Sequence, residues 1–197
     1  KKFKLIIANN VMAHVPDIND FLKGISIILE NRGYVSIEFP HLLELIKNNQ
    51  FDTIYHEHYS YLSLKVVKKI ASQYNLEVVN LEKLSTHGGS LRVWLRFKGI
   101  CAVSKNVDNV LNEEKAFNLE NLNVYENFKE KTNKVKYVFL NYLLKKKELN
   151  ERVIAYGAAA KGNTLLNFAG VKSDLIDFVI DKAPIKQGKY LPGSHIP

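Results

Sequence analysis

Five consecutive residues in the first third of the chain combine side chains that can move protons. Tyr55-His56-Glu57-His58-Tyr59 places two imidazoles, two phenols and one carboxylate side by side. An imidazole titrates near neutral pH, and a phenol can hold a developing oxyanion. In a helix, Tyr55, His58 and Tyr59 would share one face by the i, i+3, i+4 spacing. The pattern favours a proton-transfer site, while a core or interface role for these residues stays open.

The same five residues match metal-binding patterns poorly. The zincin pattern H-E-x-x-H fails because Ser60 stands where its second His belongs. His56 and His58 could chelate one ion only on an extended strand, and no Cys lies nearby. The sequence therefore predicts no metal site.

A further imidazole, His14, follows a predicted strand. Residues 3–9 form an apolar run, and Pro16-Asp17 then opens a helix with apolar residues at helical spacing. Functional residues of α/β proteins commonly follow the carboxyl end of a strand. His14 is therefore a second candidate.

Composition limits the class of protein. The 197 residues are 46% hydrophobic and 24% charged, as in ordinary globular proteins, and no run of 18 apolar residues predicts a membrane span. One Cys and no signal peptide predict a cytoplasmic location. The net charge of +8 comes from scattered Lys, which disfavours nucleic-acid binding and fits an anionic small substrate such as a nucleoside diphosphate.

Strand and helix patterns alternate along the chain. Strands are predicted over residues 3–9, 34–39, 76–81, 91–97, 152–156 and 175–180. Helices are predicted from Pro16 to about Gly33, over residues 41–49, 63–74 and 107–150, and up to Phe168. We therefore predict an α/β fold of two incomplete Rossmann-like lobes joined by a helical bridge. The predicted domains are residues 1–106, the bridge 107–150 and the second lobe 151–197.

A small-residue loop, residues 157–164 (GAAAKGNT), joins the fifth predicted strand to a helix. Small residues let the backbone approach a phosphate, and a helix start supplies free N–H groups, here expected from Gly162, Asn163 and Thr164. The P-loop pattern fails at Asn163, which replaces its Lys, and G-x-G-x-x-G is absent. The alternative interpretation is that the small residues only allow the helix to pack tightly against the strand. We predict substrate-binding roles for Gly157, Ala159, Lys161, Gly162, Asn163 and Asp181, the last because an acidic residue about twenty positions past such a loop binds ribose in Rossmann folds.

Several motifs together resemble a known family. Residues 9–17 (NNVMAHVPD) resemble the segment after the fourth strand of class I S-adenosylmethionine-dependent methyltransferases. Residues 51–63 (FDTIYHEHYSYLS) resemble the active-site segment of the nucleotide-sugar C-methyltransferases. Residues 87–92, 157–167 and 186–197 resemble three further landmarks of that family, in the same order.

The resemblance implies a reaction and its participants. It implies S-adenosylmethionine as cofactor and a nucleoside-diphosphate-linked deoxy-4-keto sugar as substrate. It implies His58 as the base that forms an enolate, with Tyr55, His14 and Glu57 orienting the sugar and Asn10 at the cofactor. The first lobe would be the C-terminal half of the methyltransferase fold, and the second a nucleotide-binding lobe.

The sequence also departs from the family. It has neither the family's N-terminal zinc-binding domain nor the glycine-rich loop that binds S-adenosylmethionine. We therefore expect an interior piece of a longer polypeptide that is inactive by itself and binds the cofactor weakly. Two alternatives stay open, a non-catalytic remnant that serves as a binding module and an oxidoreductase with two Rossmann-like lobes. The absence of G-x-G-x-x-G makes the oxidoreductase the weaker hypothesis.

Overall fold

The computed structural model describes all 197 residues, which divide into two compact units. The first unit comprises residues 1–50 and 56–125, and the second comprises residues 51–55 and 126–197. Each unit combines helices with a sheet, so the predicted α/β class is confirmed. The predicted domain boundaries at residues 106 and 150 stay predictions. No helix is both long enough and apolar enough to cross a membrane.

The first unit is built on one mixed sheet. Its elements are β1 (Phe3–Asn9), α1 (Ile18–Ile28), β2 (Leu29–Pro40), α2 (Leu42–Lys47), α3 (Leu64–Gln73), β3 (Leu76–Leu84), β4 (Ser90–Phe97) and α4 (Lys105–Ala116). The strand order is β1-β2-β4-β3, with β1 and β2 parallel and the other two pairs antiparallel. Because β1 and β2 are parallel, the residues that follow both strands lie at one edge of the sheet.

Local sequence signals explain where the helices of this unit begin. The Asp17 carboxylate accepts the N–H groups of Asn19 and Asp20 at 2.9 Å and caps α1. Ser63 caps α3 in the same way, through the Val66 N–H at 3.2 Å. Apolar faces of both helices enter a core with residues of all four strands, including Leu22, Val67, Ile37, Leu91 and Val93.

The prediction for residues 29–33 is wrong. We expected the first helix to end at Asn31-Arg32-Gly33, but α1 ends at Ile28 and β2 begins at Leu29. The pairing with β1 jumps from Phe3↔Leu29 to Leu5↔Tyr34, so the intervening residues bulge. A Cβ on Gly33 would lie 2.7 Å from the Leu29 side chain, which explains why glycine occupies this bulge.

The second unit is smaller and has more helix than strand. It takes in all but the first turn of α5 (Leu122–Glu148), followed by β5 (Ala155–Tyr156), α6 (Ala160–Ala169) and β6 (Val179–Ile180). The strands pair in parallel, and both are shorter than predicted. The continuous helix predicted over residues 107–150 is instead two helices, α4 and α5, which separate at Asn118 where φ is 58°. The core of this unit contains Leu143, Leu166, Val171, Ile176 and Ile196.

Candidate active site

Two imidazoles meet in the first unit. His14 follows β1, His58 lies in the segment before α3, and their ring centroids are 4.8 Å apart at an interplanar angle of 58°. The Tyr61 ring stands edge-on to His58, with a centroid distance of 6.1 Å. Both His side chains are partly exposed, so a ligand can reach them. The structure therefore brings together two of the predicted catalytic residues and adds Tyr61, which we did not predict.

The segment that carries His58 is irregular, so the helical face expected for Tyr55, His58 and Tyr59 is wrong. The backbone N–H groups of Tyr59 and Ser60 both donate to the Ala13 carbonyl oxygen, at 2.9 and 3.2 Å. These two bonds, and not helical spacing, place His58 beside His14.

The other two predicted catalytic residues lie elsewhere in the same stretch of chain. Glu57 is exposed in the first unit, while Tyr55 belongs to the second unit and its N–H donates to the Thr53 carbonyl at 3.2 Å. Their roles toward a substrate stay predictions.

Asn10, the predicted cofactor residue, has a polar atom without a partner. It has a left-handed backbone with φ of 54°, and its N–H donates to the Glu38 carbonyl at 2.8 Å. Its side-chain oxygen Oδ1 is buried without a hydrogen-bond partner. A buried acceptor without a donor is costly unless a ligand supplies one. A hydroxyl or amino group of a cofactor at the end of β1 would satisfy it.

A buried carboxylate, Glu38, links the ends of several strands at this edge. Its side chain is 6% exposed and pairs with Arg92 of β4 at 2.9 Å. The Thr86 hydroxyl donates to its other oxygen at 3.0 Å. Sequence reasoning missed Glu38, although the rule that selected the end of β1 applies equally to the end of β2.

A second buried carboxylate, Glu114 of α4, holds the start of α3. It accepts the Leu64 N–H at 2.6 Å, the Lys65 N–H at 3.1 Å and the ring Nε2 of His41 at 2.8 Å. Glu114 and His41 are only 4% and 2% exposed. No local pattern marks this pair, because its members are 73 residues apart.

In the second unit, Asp181 closes the small-residue loop. Its Oδ2 accepts the Ala158 N–H at 2.7 Å, its Oδ1 accepts the Ala183 N–H at 2.8 Å, and Lys186 Nζ lies 3.2 Å from Oδ2. Lys186 also donates to the Ala158 carbonyl at 2.8 Å. The carboxylate predicted to bind ribose therefore accepts hydrogen bonds from its own loop. Its Oδ1 still has a lone pair that can accept one more donor.

The helix after this loop has an open N-terminus. Ala159 caps α6 without a side-chain hydrogen bond, so the first N–H groups of the helix are available to an anion. The Asn163 N–H donates to the Ala159 carbonyl at 3.0 Å, so the expectation that it is free is wrong. The available groups are those of the first three residues of the helix, Ala160, Lys161 and Gly162. A Cβ on Gly162 would meet only the Gly157 carbonyl oxygen, at 3.9 Å.

A cavity of about 770 Å³ lies against the same loop. Ala158, Asp181 and Lys186 line it together with the apolar β6 and the ring of Tyr190. Its volume is in the range of small-molecule sites, and its lining mixes apolar surface with a few polar groups.

The Asp181 bonds predict a pH dependence. The N–H groups of Ala183 and Ala158, and then Lys186, hold the pKa of the Asp181 carboxyl below its usual value of 3.8. A depressed folded pKa contributes stability that is present above the unfolded value and lost as pH falls through the folded one. We expect Asp181→Asn to lower the stability of the fold at pH 7. The variant should also lose less stability than the wild type as the pH falls below about 4. Thermal unfolding followed by circular dichroism at several pH values measures both changes. The exposed Asp174→Asn is the control and should retain the wild-type acid profile.

Family models match both halves of the chain. Residues 1–81 match a family model described as a methyltransferase domain, and residues 85–197 match one described as the C-methyltransferase C-terminal domain. C-methyltransferase NovU from Streptomyces niveus is 36% identical over 198 residues, which span 98% of this chain and 46% of NovU. The chain thus spans about half the length of this relative.

Two solved structures illustrate more distant likeness. N-methyltransferase NodS from Bradyrhizobium japonicum WM9 is 14% identical with a TM-score of 0.37, over 49% of this chain and 52% of NodS. LepI in complex with SAM is 10% identical with a TM-score of 0.39, over 50% of this chain and 27% of LepI.

The matched models and the α/β fold place the chain among the methyltransferases. The chain belongs to the C-methyltransferase family whose C-terminal domain its residues 85–197 match, so the predicted family is confirmed. S-adenosylmethionine is the cofactor of this class of enzyme, as predicted.

Proposed function

We propose that this chain forms part of an S-adenosylmethionine-dependent C-methyltransferase that acts on a nucleoside-diphosphate-linked deoxy-keto sugar. The observation that carries the proposal is the His14–His58 pair, with ring centroids 4.8 Å apart, in a chain of the C-methyltransferase family. Methylation of carbon needs a carbon nucleophile, and a carbon next to a ketone becomes one when a base removes its proton. A neutral imidazole can be that base.

In the proposed mechanism His58 accepts the proton from the carbon adjacent to the ketone. The electrons of the C–H bond form the enolate double bond, and the carbonyl electrons move to oxygen. The two hydrogen bonds to the Ala13 carbonyl fix the backbone next to His58 and so limit the directions in which its ring can approach the substrate. S-adenosylmethionine, when bound, would supply a methyl group on a positively charged sulfur, and the S–CH3 bonding pair would stay on sulfur when the enolate carbon takes the methyl group.

The remaining residues would orient the substrate and stabilise the enolate oxygen. His14 lies against His58, so its ring N–H can reach the same substrate atoms. Tyr55 and Glu57 keep the orienting roles that the family resemblance implies. Asn10, with its unpaired buried oxygen, would hold a donor group of the cofactor at the end of β1.

The second unit is proposed to bind the nucleotide end of the substrate. The uncapped start of α6 and the backbone of Ala159 and Gly162 offer N–H groups to a diphosphate, and the exposed Lys161 adds one positive charge. The N–H of Gly157 donates to the Ile180 carbonyl at 2.7 Å, so Gly157 would contribute only by keeping a side chain out of the site. Asn163 would contribute through its side chain, and Asp181 Oδ1 has room for a ribose hydroxyl. The adjacent cavity of about 770 Å³ has the size for a nucleoside.

Gly162→Val tests this assignment. We expect the valine side chain to obstruct the phosphate site and to weaken nucleoside-diphosphate binding by about tenfold or more, since one lost or displaced charge-assisted hydrogen bond is worth about 1.5–3 kcal/mol. The fold has room for the side chain, because only the Gly157 carbonyl lies within 4 Å of the new Cβ. Calorimetry with a nucleoside diphosphate measures the change.

Gly24→Val is the matched control. It makes the same substitution within a helix, at a position of α1 where nothing lies within 4 Å of the new Cβ. Equal affinities in both variants and the wild type would mean that the loop only packs the helix against the strand.

We propose a cytoplasmic location for this enzyme. The one Cys of this chain, the exposed Cys101, is a free thiol, which suits a reducing compartment.

A further inference from the structure

The turn that joins β3 to β4 holds one residue in a conformation that few non-glycine residues adopt. His87 has φ of 52° and ψ of 27°, in the left-handed region. Gly88 and Gly89 follow with φ of 80° and 125°. A non-glycine residue held in this region costs free energy, and such strain concentrates at functional sites.

Two neighbouring side chains explain the glycines but not the histidine. A Cβ on Gly88 would lie 2.4 Å from the Gln50 amide, and one on Gly89 would lie 2.8 Å from the Glu44 side chain. His87 is exposed, so no packing requirement selects an imidazole there. Glycine or asparagine would adopt the same backbone at lower cost.

Other left-handed residues of the chain show what is usual. Seven non-glycine residues have positive φ, namely Asn10, Asn49, Asn75, His87, Asn118, Asn150 and His195. Four of the asparagines come just after helices α2, α3, α4 and α5, where a left-handed residue is a common way to end a helix. Asn10 is the candidate cofactor residue, and His87 and His195 share with it a left-handed backbone that no α-helix end explains.

The turn around His87 is held by bonds on several sides. The Gln50 amide donates to the Gly88 carbonyl at 2.7 Å, the His41 N–H donates to the Gly89 carbonyl at 3.0 Å, and the Ser90 hydroxyl donates to the Thr86 carbonyl at 3.0 Å. These hydrogen bonds fix the backbone of the turn that carries the exposed imidazole.

Glu38 connects this turn to the candidate site. Its backbone carbonyl accepts the Asn10 N–H at 2.8 Å, and its side chain accepts the Thr86 hydroxyl at 3.0 Å. The residue before His87 and the candidate cofactor residue are therefore bonded to one buried residue at the end of β2. His87 lies at the sheet edge that carries the residues following β1.

We propose that His87 is a substrate-binding residue whose ring donates a hydrogen bond to an oxygen of the substrate. This proposal rests on the proposed function for the identity of that substrate, a sugar nucleotide. Either a phosphate oxygen or a sugar oxygen can accept the bond. The strained backbone is the cost of placing an imidazole, and not an asparagine or glycine, at this point.

The experiment compares His87→Gly, His87→Asn and Asn75→Gly with the wild type in the whole protein. Both His87 variants relieve the strain, so each should keep the wild-type melting temperature or raise it, by up to about 3 °C. Both lose the ring, so kcat/KM for the sugar nucleotide should fall by about tenfold, mainly through KM. Asn75→Gly changes a left-handed residue after α3 and should leave kcat/KM unchanged.

Affinities locate the contact. Weaker binding of both a nucleoside diphosphate and the sugar nucleotide places the bond on a phosphate, and weaker binding of the sugar nucleotide alone places it on the sugar. The proposal is overturned if either His87 variant keeps the wild-type kcat/KM, or if both variants have a lower melting temperature. These outcomes would leave the proposed function standing. Absence of methyl transfer in the wild type overturns both.

Discussion

His58→Asn is expected to remove the base and nearly all turnover. Asparagine occupies a similar volume and can still form a hydrogen bond, but it cannot take up a proton at neutral pH. A general base contributes about a hundred- to ten-thousand-fold to the rate, so exchange of the substrate proton with solvent deuterium should fall by that factor. Affinity for the sugar nucleotide should change little. Mass spectrometry or NMR of substrate incubated in deuterated buffer measures the exchange.

His56→Asn is the control for this prediction. It makes the same change two residues earlier, at an exposed imidazole outside the His14–His58 pair. Exchange should stay near the wild-type rate. An unchanged exchange rate in His58→Asn would assign the base to another residue, with His14 the first to be tested.

Glu114→Ala is expected to produce the largest loss of stability. Removal of the carboxylate leaves His41 Nε2 and the first two N–H groups of α3 without their partner in a buried site. Breaking a buried, hydrogen-bonded pair costs about 3–5 kcal/mol. Urea unfolding measures the loss, and the chain's single Trp, Trp94 of β4, reports on the first unit alone.

The neighbouring Glu113→Ala provides a matched control on the same helix. Glu113 pairs with Lys83 at the surface, where the two side chains are 45% and 48% exposed. Such exposed pairs contribute roughly 0–1 kcal/mol, and both alanines have the same helix propensity. Similar unfolding midpoints for the two variants would mean that the hydrogen bonds of Glu114 contribute no more to stability than an exposed ion pair does.

Sequence patterns predicted the regular elements because those depend on local chemistry. The Asp17 cap and the apolar spacing after it locate α1, and Ser63 with its following residues locates α3. The family motifs pointed to His14 and His58, which the structure places ring against ring. Local reasoning failed at residues 29–33, where pairing with β1 extends the strand beyond its apparent start.

The parts that sequence could not predict depend on contacts between distant residues. His58 is positioned by hydrogen bonds of the next two residues to Ala13, which no helical or strand period encodes. The Glu114–His41 bond and the Glu38–Thr86 bond link residues 73 and 48 positions apart. Asp181 was assigned to a ligand, but its oxygens first satisfy N–H groups of its own loop.

Incubation of the whole protein with S-adenosylmethionine and a nucleoside-diphosphate-linked deoxy-keto sugar tests the central claim most directly. The product should carry one new methyl group on the carbon next to the ketone, and NMR should locate it there. Before transfer, that carbon should exchange its proton with solvent deuterium in the wild type and much more slowly in His58→Asn. A methyl group on oxygen or nitrogen, or no transfer to any such sugar, would contradict the account.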